Sequence, residues 1–537
     1  MPLKALHEIE HTQGTVQLIS HNSNLQQKNG LVLVPQPNQN DPNDPLNWSL
    51  SRRILIFYNI LFFSAMGNFC ITGLAPGFGQ IFDEFHCSTS QLSYLISGPG
   101  LGEALGCFFI APLASRYGKR PLWVVSSTLF FICNIWAAAS PNYSSLLVGR
   151  IFAAWASGTS EPLCVDTIND LFFLHERGTQ TGVQGLWLCF GATLAPVAGG
   201  FLIAAEGWRW FHWVLAIFTG VNALLIFLFV PETQYRRDLH KSLDVTMAED
   251  SEIFTEVADF NGKSDVTQTE GGLVREQTTT NQSATQSEYV KRTFWQDLKP
   301  WSGVRKDVSL FGAFIRPWAL FSYVSVIWNV MAFSIHISCF VICITLIAVV
   351  IGAPPYGFSS SMQGLTYLSF VLGNVIGAYL CGRCNDLVSQ RLARRNHGVF
   401  EPEMRLPVVL VPIIGTPIGL VLIGVAFHHQ WHWIVPCIGF VLVAVGFTGI
   451  PCVSQPYLMD SYFPVAMDCL IQFNGFKNFV TFGVGFGTIP WYERDGPVTM
   501  FCILAALVIV IDAGAVLLYI YGKRLRHHDG QLKIFLF

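Results

Sequence analysis

Apolar residues in this chain come in long runs, and the runs come in two sets. A hydrocarbon layer about 30 Å thick is crossed by roughly twenty apolar residues in an α-helix. Runs of that kind centre on residues 54–74, 92–113, 122–139, 145–165, 181–204 and 211–230, then on 318–345, 363–383, 407–427, 432–452, 466–488 and 498–521. Between the sets lies 232–316, rich in Ser, Thr, Gln and Glu, which cannot bury a core. The pattern predicts an all-α membrane protein with twelve transmembrane helices: a disordered N-terminus over 1–52, a six-helix bundle over 53–231, a disordered linker over 232–316, a second six-helix bundle over 317–521 and a tail over 522–537. Trp295, Leu298 and Trp301 either make a short interfacial helix before the seventh run or remain linker aromatics without fixed structure.

Charge sets the sidedness. Arg52 and Arg53 precede the first run, Arg116, Lys119 and Arg120 follow the second, and Arg177 follows the fourth. Arg391, Arg394, Arg395 and Arg405 separate the eighth and ninth, and Lys523, Arg524 and Arg526 follow the last. The alternate loops have Arg209 and Arg494 as their clear members. Lys and Arg concentrate in cytoplasmic loops, so an even number of crossings places both termini, the linker and the tail in the cytoplasm, with the plasma membrane as the default host.

Composition agrees with burial in lipid. Of 537 residues, 51% are hydrophobic and 12% charged, against about a quarter charged in a soluble domain. The net charge of -3, with no basic stripe outside the helix ends, argues against a nucleic-acid partner. The polar first fifty or so residues lack a basic segment followed by an apolar one, so no cleavable secretory signal is expected and the first span serves as its own anchor. Cys70, Cys107, Cys133, Cys164, Cys189, Cys339, Cys343 and Cys502 lie within apolar runs, where cysteine acts as a small hydrophobe, so few or no disulfides are expected.

Several motifs punctuate the spans. The loop after the second reads Ala111-Pro-Leu-Ala-Ser-Arg-Tyr-Gly-Lys-Arg-Pro-Leu-Trp123, and the fifth span reads Gly191-Ala-Thr-Leu-Ala-Pro-Val-Ala-Gly-Gly200. Asp170-Leu-Phe-Phe-Leu-His-Glu-Arg-Gly178, Pro231-Glu-Thr233, Gly382-Arg-Cys-Asn-Asp386, Glu401-Pro-Glu-Met-Arg-Leu-Pro407, Asp460-Ser-Tyr462, Phe476-Lys-Asn478 and Asp44-Pro-Leu-Asn-Trp48 complete the set. Together, from about residue 41 to 521, they resemble the major facilitator superfamily, and within it the fungal drug:proton antiporter family, in the branch of polyamine and histidinol permeases. Arg116, Gly118, Lys119 and Arg120 match the superfamily's loop pattern Gly-x-Leu-x-Asp-Arg-x-Gly-Arg-Lys. Ser115 stands in place of its acid and Ala111 in place of its glycine, while Asp386 keeps the acid in the second half. The fifth span resembles the antiporter pattern Gly-x-x-x-Gly-Pro-x-x-Gly-Gly with Ala195 for the central Gly. Pro196, Gly199 and Gly200 there read either as a bendable interface or as close packing. The resemblance implies two pseudo-symmetric six-helix bundles with a solute bound between them near the midplane, and a monomer working by alternating access.

Ionisable residues within the spans mark a polar passage, because a charge in hydrocarbon is expensive without a partner or a cavity. Glu103 lies mid-way along the second span, among Gly98, Gly102 and Gly106, and Lys477 mid-way along the eleventh. The resemblance implies that these helices face each other, so Glu103 and Lys477 either pair or are satisfied locally, Lys477 by Asp512. Arg150 matches an arginine that the superfamily carries in the fourth span. Glu161 follows eleven positions later, so the two can share a helix face. Glu161, then Glu103, are the candidate proton- or cation-binding carboxylates, since a carboxylate in a partly dry cavity suits reversible protonation. The alternative is that Arg150 or backbone groups hold Glu161 for packing alone. Asn68 and His336 are candidate cavity residues.

Other features are weaker. Cys381-Gly-Arg-Cys384 has no second pair for a zinc site. His428, His429 and His432 among Trp431 and Trp433 suit an aromatic belt better than a metal. Asn142-Tyr-Ser144 is a glycosylation sequon in a short loop. The Gly-Lys phosphate loop, HExxH and serine elbow are missing from the sequence, so neither ATP-driven transport nor hydrolysis is expected, and no cofactor. The expected partners are a small organic substrate, protons and membrane lipid. The expected function is proton-coupled efflux of drugs, toxins or secondary metabolites; the alternatives are uptake of a cationic nutrient such as a polyamine, and a non-transporting membrane sensor that signals through its linker. Single cysteines placed in the basic loops of intact cells should resist an impermeant maleimide, while those in the base-poor loops react; equal labelling would overturn the sidedness.

Overall fold

The structure, a computed structural model, describes residues 41–235, 293–299, 303–304, 309–396, 399–462 and 465–531, with three two-residue strands nearer the N-terminus. Most of the expected disordered N-terminus and linker lies outside the described residues, as does Trp301. Where their edges are described, the chain is ordered: Asp44 caps a 3-10 turn at Pro45–Asn47, Phe294–Asp297 forms one helical turn, and Leu310–Ala319 is a short helix.

Among the described residues, ten helical segments are long and apolar enough to cross a membrane. Two further features bring the crossings to twelve. Tyr143–Gly158 and Ser160–Leu171 are one crossing interrupted at Thr159. The segment Asp468–Asp529 has 62 residues, about 90 Å as a single helix, and reverses at Gly496. Spans one to six are Leu50–Thr72, Thr89–Tyr117, Lys119–Ala138, Tyr143–Leu171, Leu174–Glu206 and Trp208–Phe229. Spans seven to ten are Val324–Leu346, Ser360–Arg395, Leu410–His428 and Ile434–Ser461. Eleven and twelve flank Gly496, and twelve runs on into Gly514–Gln531. The seventh run is thus shorter than its apolar pattern, because Leu310–Ala319 forms a separate helix whose Trp318 stacks on Phe108 of span two (4.8 Å).

The halves repeat each other. Spans five and six meet at Gly207 (φ 87°, ψ 166°), and spans eleven and twelve at Gly496 (φ 75°, ψ 166°). Both turns use a left-handed φ that favours glycine. The outside is greasy, with Ile217, Val510 and Leu517 more than 60% exposed, whereas buried amides and charges point inward.

Backbone groups freed by proline are re-satisfied sideways. A proline removes the N–H that the carbonyl four residues earlier would accept, and hydrocarbon supplies no replacement. Pro99 frees Leu95, whose carbonyl accepts Nε and Nη2 of Arg150 at 3.2 and 3.0 Å. Pro196 frees Ala192, which accepts Thr72 Oγ1 at 2.7 Å. Pro162 frees Gly158, which accepts Cys107 Sγ at 3.1 Å, and Pro456 frees Cys452, which accepts Asn385 Nδ2 at 3.3 Å. Each donor comes from a different span, so each proline that bends a helix also ties it to a neighbour. None of the fourteen cysteines forms a disulfide.

Ionic staples close the basic face of each half. Lys119 Nζ lies 2.6 Å from Asp166 and 2.5 Å from Asp170 at the end of span four. The carboxylate of Glu232 accepts the first amides of span three, from Lys119 and Arg120, at 3.1 and 3.2 Å, an acid at a helix N-terminus. Arg120 in turn donates to the carbonyls of Phe227 and Val230 at the end of span six. In the second half Arg405 joins Asp386 (3.2 Å) and Asp460 (2.9 Å), while Arg526 pairs with Glu403 at 2.7 Å. The acid missing at Ser115 is therefore supplied from spans four and six.

Glycines let spans two and four touch backbone to backbone. A Cβ at Gly102 would stand 2.2 Å from the Ile151 carbonyl, one at Gly106 2.3 Å from that of Trp155, and one at Gly158 2.4 Å from that of Glu103. Gly106→Val should therefore destabilise by roughly 1–3 kcal/mol and lower the yield of monodisperse protein on size exclusion. Gly483→Ala, where a Cβ meets nothing within 4 Å, should leave both unchanged.

Candidate functional site

Lys477 of span eleven places its Nζ 2.8 Å from Oε1 of Glu161 in span four, so the pair joins one half to the other. The side chains are 4% and 2% exposed. Proline chemistry positions the acid. Because Pro162 cannot donate to Gly158, the hydrogen-bond ladder of the fourth span is interrupted beside Glu161, the residue just before the proline. On the other side Phe333 of span seven faces the ammonium at 5.2 Å, a cation–π distance. Its ring stacks on Phe473 at 4.8 Å. Glu103, also buried, is the third charge within electrostatic reach of the other two.

The halves close over this group in both directions. Toward the basic face, Phe108 of span two packs on Gly475, and Val165 packs with Met459 and Leu470. Toward the opposite face, Tyr94 meets Phe486 with ring centroids 4.4 Å apart and Ser97 packs on Gly485. Inside, several buried polar atoms have no protein partner: Glu161 Oε2, Gln184 Oε1, Asn68 Nδ2, Ser334 Oγ, Asn474 Nδ2, Asn478 Nδ2 and both side-chain polar atoms of Gln472. Such groups are available to a polar solute.

The structure reassigns several expected contacts. Lys477 pairs with Glu161, not with Glu103 or Asp512. Arg150 and Glu161 do not share a site: they stand eleven positions apart, about 16 Å of helix rise, and Arg150 is drawn to the Leu95 carbonyl freed by Pro99. Arg150 also reaches the Ile71 carbonyl (2.9 Å) and His212 Nε2 (3.4 Å), which makes it a clamp across spans one, two, four and six. His336 lies inside the second half, its Nδ1 2.9 Å from the Ala332 carbonyl, rather than between the halves. Asn68 is half-buried on span one. Arg116 extends over its neighbour Tyr117 at 6.0 Å, Gly118 caps span two with φ 91°, and Lys119, Arg120 and Asp386 belong to the basic-face staples.

The fifth-span motif is an interface. A Cβ at Gly199 would stand 2.2 Å from the Gly73 carbonyl of span one, and one at Gly200 2.7 Å from the Ser360 carbonyl of span eight. Pro196 contributes the carbonyl that Gly364 of span eight approaches. Nearby, Asn374 of span eight donates to Thr193 of span five (3.2 Å) and accepts from Thr448 of span ten (2.7 Å), a buried amide bridge between the halves. Sequence reasoning missed Asn374, Gln184 and the amides of span eleven. The cluster Gln472, Asn474 and Asn478 around Lys477 in an apolar run was the available signal.

Residues 57–468 match the Major Facilitator Superfamily. The MFS transporter cpaT of Aspergillus oryzae is 28% identical, with 90% of this chain and 90% of that protein covered. The efflux pump radE of Floropilus chiversii is 26% identical, covering 92% of this chain and 85% of its own length. Among solved structures, the MFS proton:xylose symporter XylE superposes with a TM-score of 0.59 at 16% identity, covering 90% of this chain and 99% of XylE; at that identity the likeness concerns the fold.

Removing one partner of a buried ion pair costs about 3–5 kcal/mol, far more than removing both. Lys477→Met should accordingly lower the thermal unfolding midpoint in detergent, and Glu161→Gln in the same chain should restore much of the loss. Pairing Lys477→Met with Glu103→Gln should restore less. Strictly additive losses for the first double variant would refute the pairing.

Proposed function

Because the chain belongs to the Major Facilitator Superfamily, and is therefore a membrane transporter and not an enzyme, we propose that it exports small organic solutes, toxins or secondary metabolites among them, in exchange for protons. The single observation that carries this reading is the buried Glu161–Lys477 pair, which bridges the two halves between layers of contact on either side. The pair is intact when both faces are closed. Protonation of Glu161, or a solute that competes for its carboxylate, releases Lys477 and lets the halves rock apart on one face. The unpaired amides of spans five and eleven receive the solute's polar groups. Export is favoured by the efflux pump among the relatives. Those relatives are fungal, which supports the fungal drug:proton antiporter branch. In this reading the protein is a monomer of the plasma membrane with both termini in the cytoplasm.

A second reading, uptake of a cationic nutrient such as a polyamine, draws on the site's chemistry. Two carboxylates and the face of Phe333 already surround an ammonium group, and an alkylammonium solute matches that environment.

Proteoliposomes with an imposed pH gradient distinguish the two, using spermidine and a quaternary-ammonium dye whose fixed charge prevents passive trapping. Export by antiport predicts accumulation of the dye in an acidic lumen, abolished by Glu161→Gln at unchanged protein incorporation. Uptake by symport predicts spermidine entry when the outside is acidic. Gradient-driven flux that survives Glu161→Gln would overturn the role given to the pair.

A further inference from the structure

A second buried polar group lies entirely within the second half. His336 of span seven and Asp512 of span twelve are both 0% exposed, with Nε2 and Oδ2 3.5 Å apart. Nδ1 of the imidazole lies 2.9 Å from the Ala332 carbonyl. A carbonyl only accepts, so Nδ1 carries the hydrogen, and in a neutral ring Nε2 is then a bare lone pair. It faces a carboxylate that also only accepts when ionised. Nε2, both carboxylate oxygens and the nearby Thr416 Oγ1 have no hydrogen-bond partner in the protein. Two acceptors facing each other in hydrocarbon are unfavourable on every count, and a proton between them removes the conflict.

The surroundings hold this arrangement in place. A Cβ at Gly446 of span ten would stand 1.9 Å from Thr416 Oγ1 and 3.1 Å from His336 Nε2, so the absence of a side chain there is what admits both groups. Asp512 ends a helical stretch, where the Ile511 carbonyl accepts the indole N–H of Trp328 at 2.8 Å. The thiol of Cys339, one turn along span seven, is a further titratable group near the pair. Spans nine and ten present Thr416 and Gly446. Lys477 and Glu161 lie beyond Phe333, one turn the other way along span seven. Tyr323, Tyr462 and Asp529 form a separate cluster at the basic end.

We propose that His336 and Asp512 form a proton-binding site of the second half, holding one proton between imidazole Nε2 and the carboxylate and releasing it as the pH rises. The site deepens the proton-coupled reading above, and Phe333 and His336, three residues apart on one helix face, connect it to Lys477. Its test needs no transport, so it can fail while that reading stands, and the reverse.

The experiment is an infrared and proton-release titration of the purified full chain in lipid between about pH 5 and 9, where histidines and buried carboxyls change charge. The parent should lose one protonated-carboxyl or imidazolium signal. Asp512→Asn and His336→Gln should each lack that signal and release about one proton fewer per molecule; Glu161→Gln and Glu103→Gln should retain it. Histidine NMR on the unmodified protein supplies the same reading should a variant fail to fold, through a buried imidazole, shielded from solvent exchange, whose Nε2 changes protonation across that range. Titrations indistinguishable from the parent in both variants would overturn the proposal. So would a shift of the same signals by sodium at constant pH, which would make the pair a metal-cation site.

Discussion

Every backbone donor and acceptor in hydrocarbon must find its partner within the protein, and this requirement organises the molecule. Helices meet it until a proline interrupts the ladder. Here the freed carbonyls of Leu95, Gly158, Ala192 and Cys452 are each met by a side chain from another span. Bending and cross-linking are therefore the same event. The constraint also explains Arg150: a guanidinium with several fixed donors suits two helix carbonyls that lack amides. A charge that looks like a ligand in sequence is, in the fold, a backbone repair.

Buried charges divide into two kinds by where their partners lie. The staples of Lys119, Arg405 and Arg526 join residues of a single half and keep it rigid. Glu161–Lys477 and the Asn374 bridge join the halves. A buried pair adds little net stability over an apolar substitute, yet is costly to split. Such a contact makes a boundary definite when closed without making it permanently tight.

The number of crossings, their order and the basic loops were legible in the sequence because they depend on composition along a line. The identity of Lys477's partner was not. Glu103, Glu161 and Asp512 all lie at usable depths, and choosing among them required knowing how spans four and eleven pack against each other. His336 read as a cavity residue because nothing local to it reveals Asp512, which lies 176 positions later. Likewise the acids that meet Lys119 are Asp166 and Asp170 of span four, and do not come from the position of Ser115. In each case a residue type signals a need, and the topology decides what meets it.

The glycine reversals at Gly207 and Gly496 carry a mechanical corollary. A hairpin closed by one residue has no slack, so helices five and six cannot slide past one another, and neither can eleven and twelve. Each hairpin must tilt as one stiff lever. Looser π-helical turns, among the described residues, lie at Ile347–Ile351 beyond span seven and Ala378–Arg383 within span eight. Both of these turns belong to the second half.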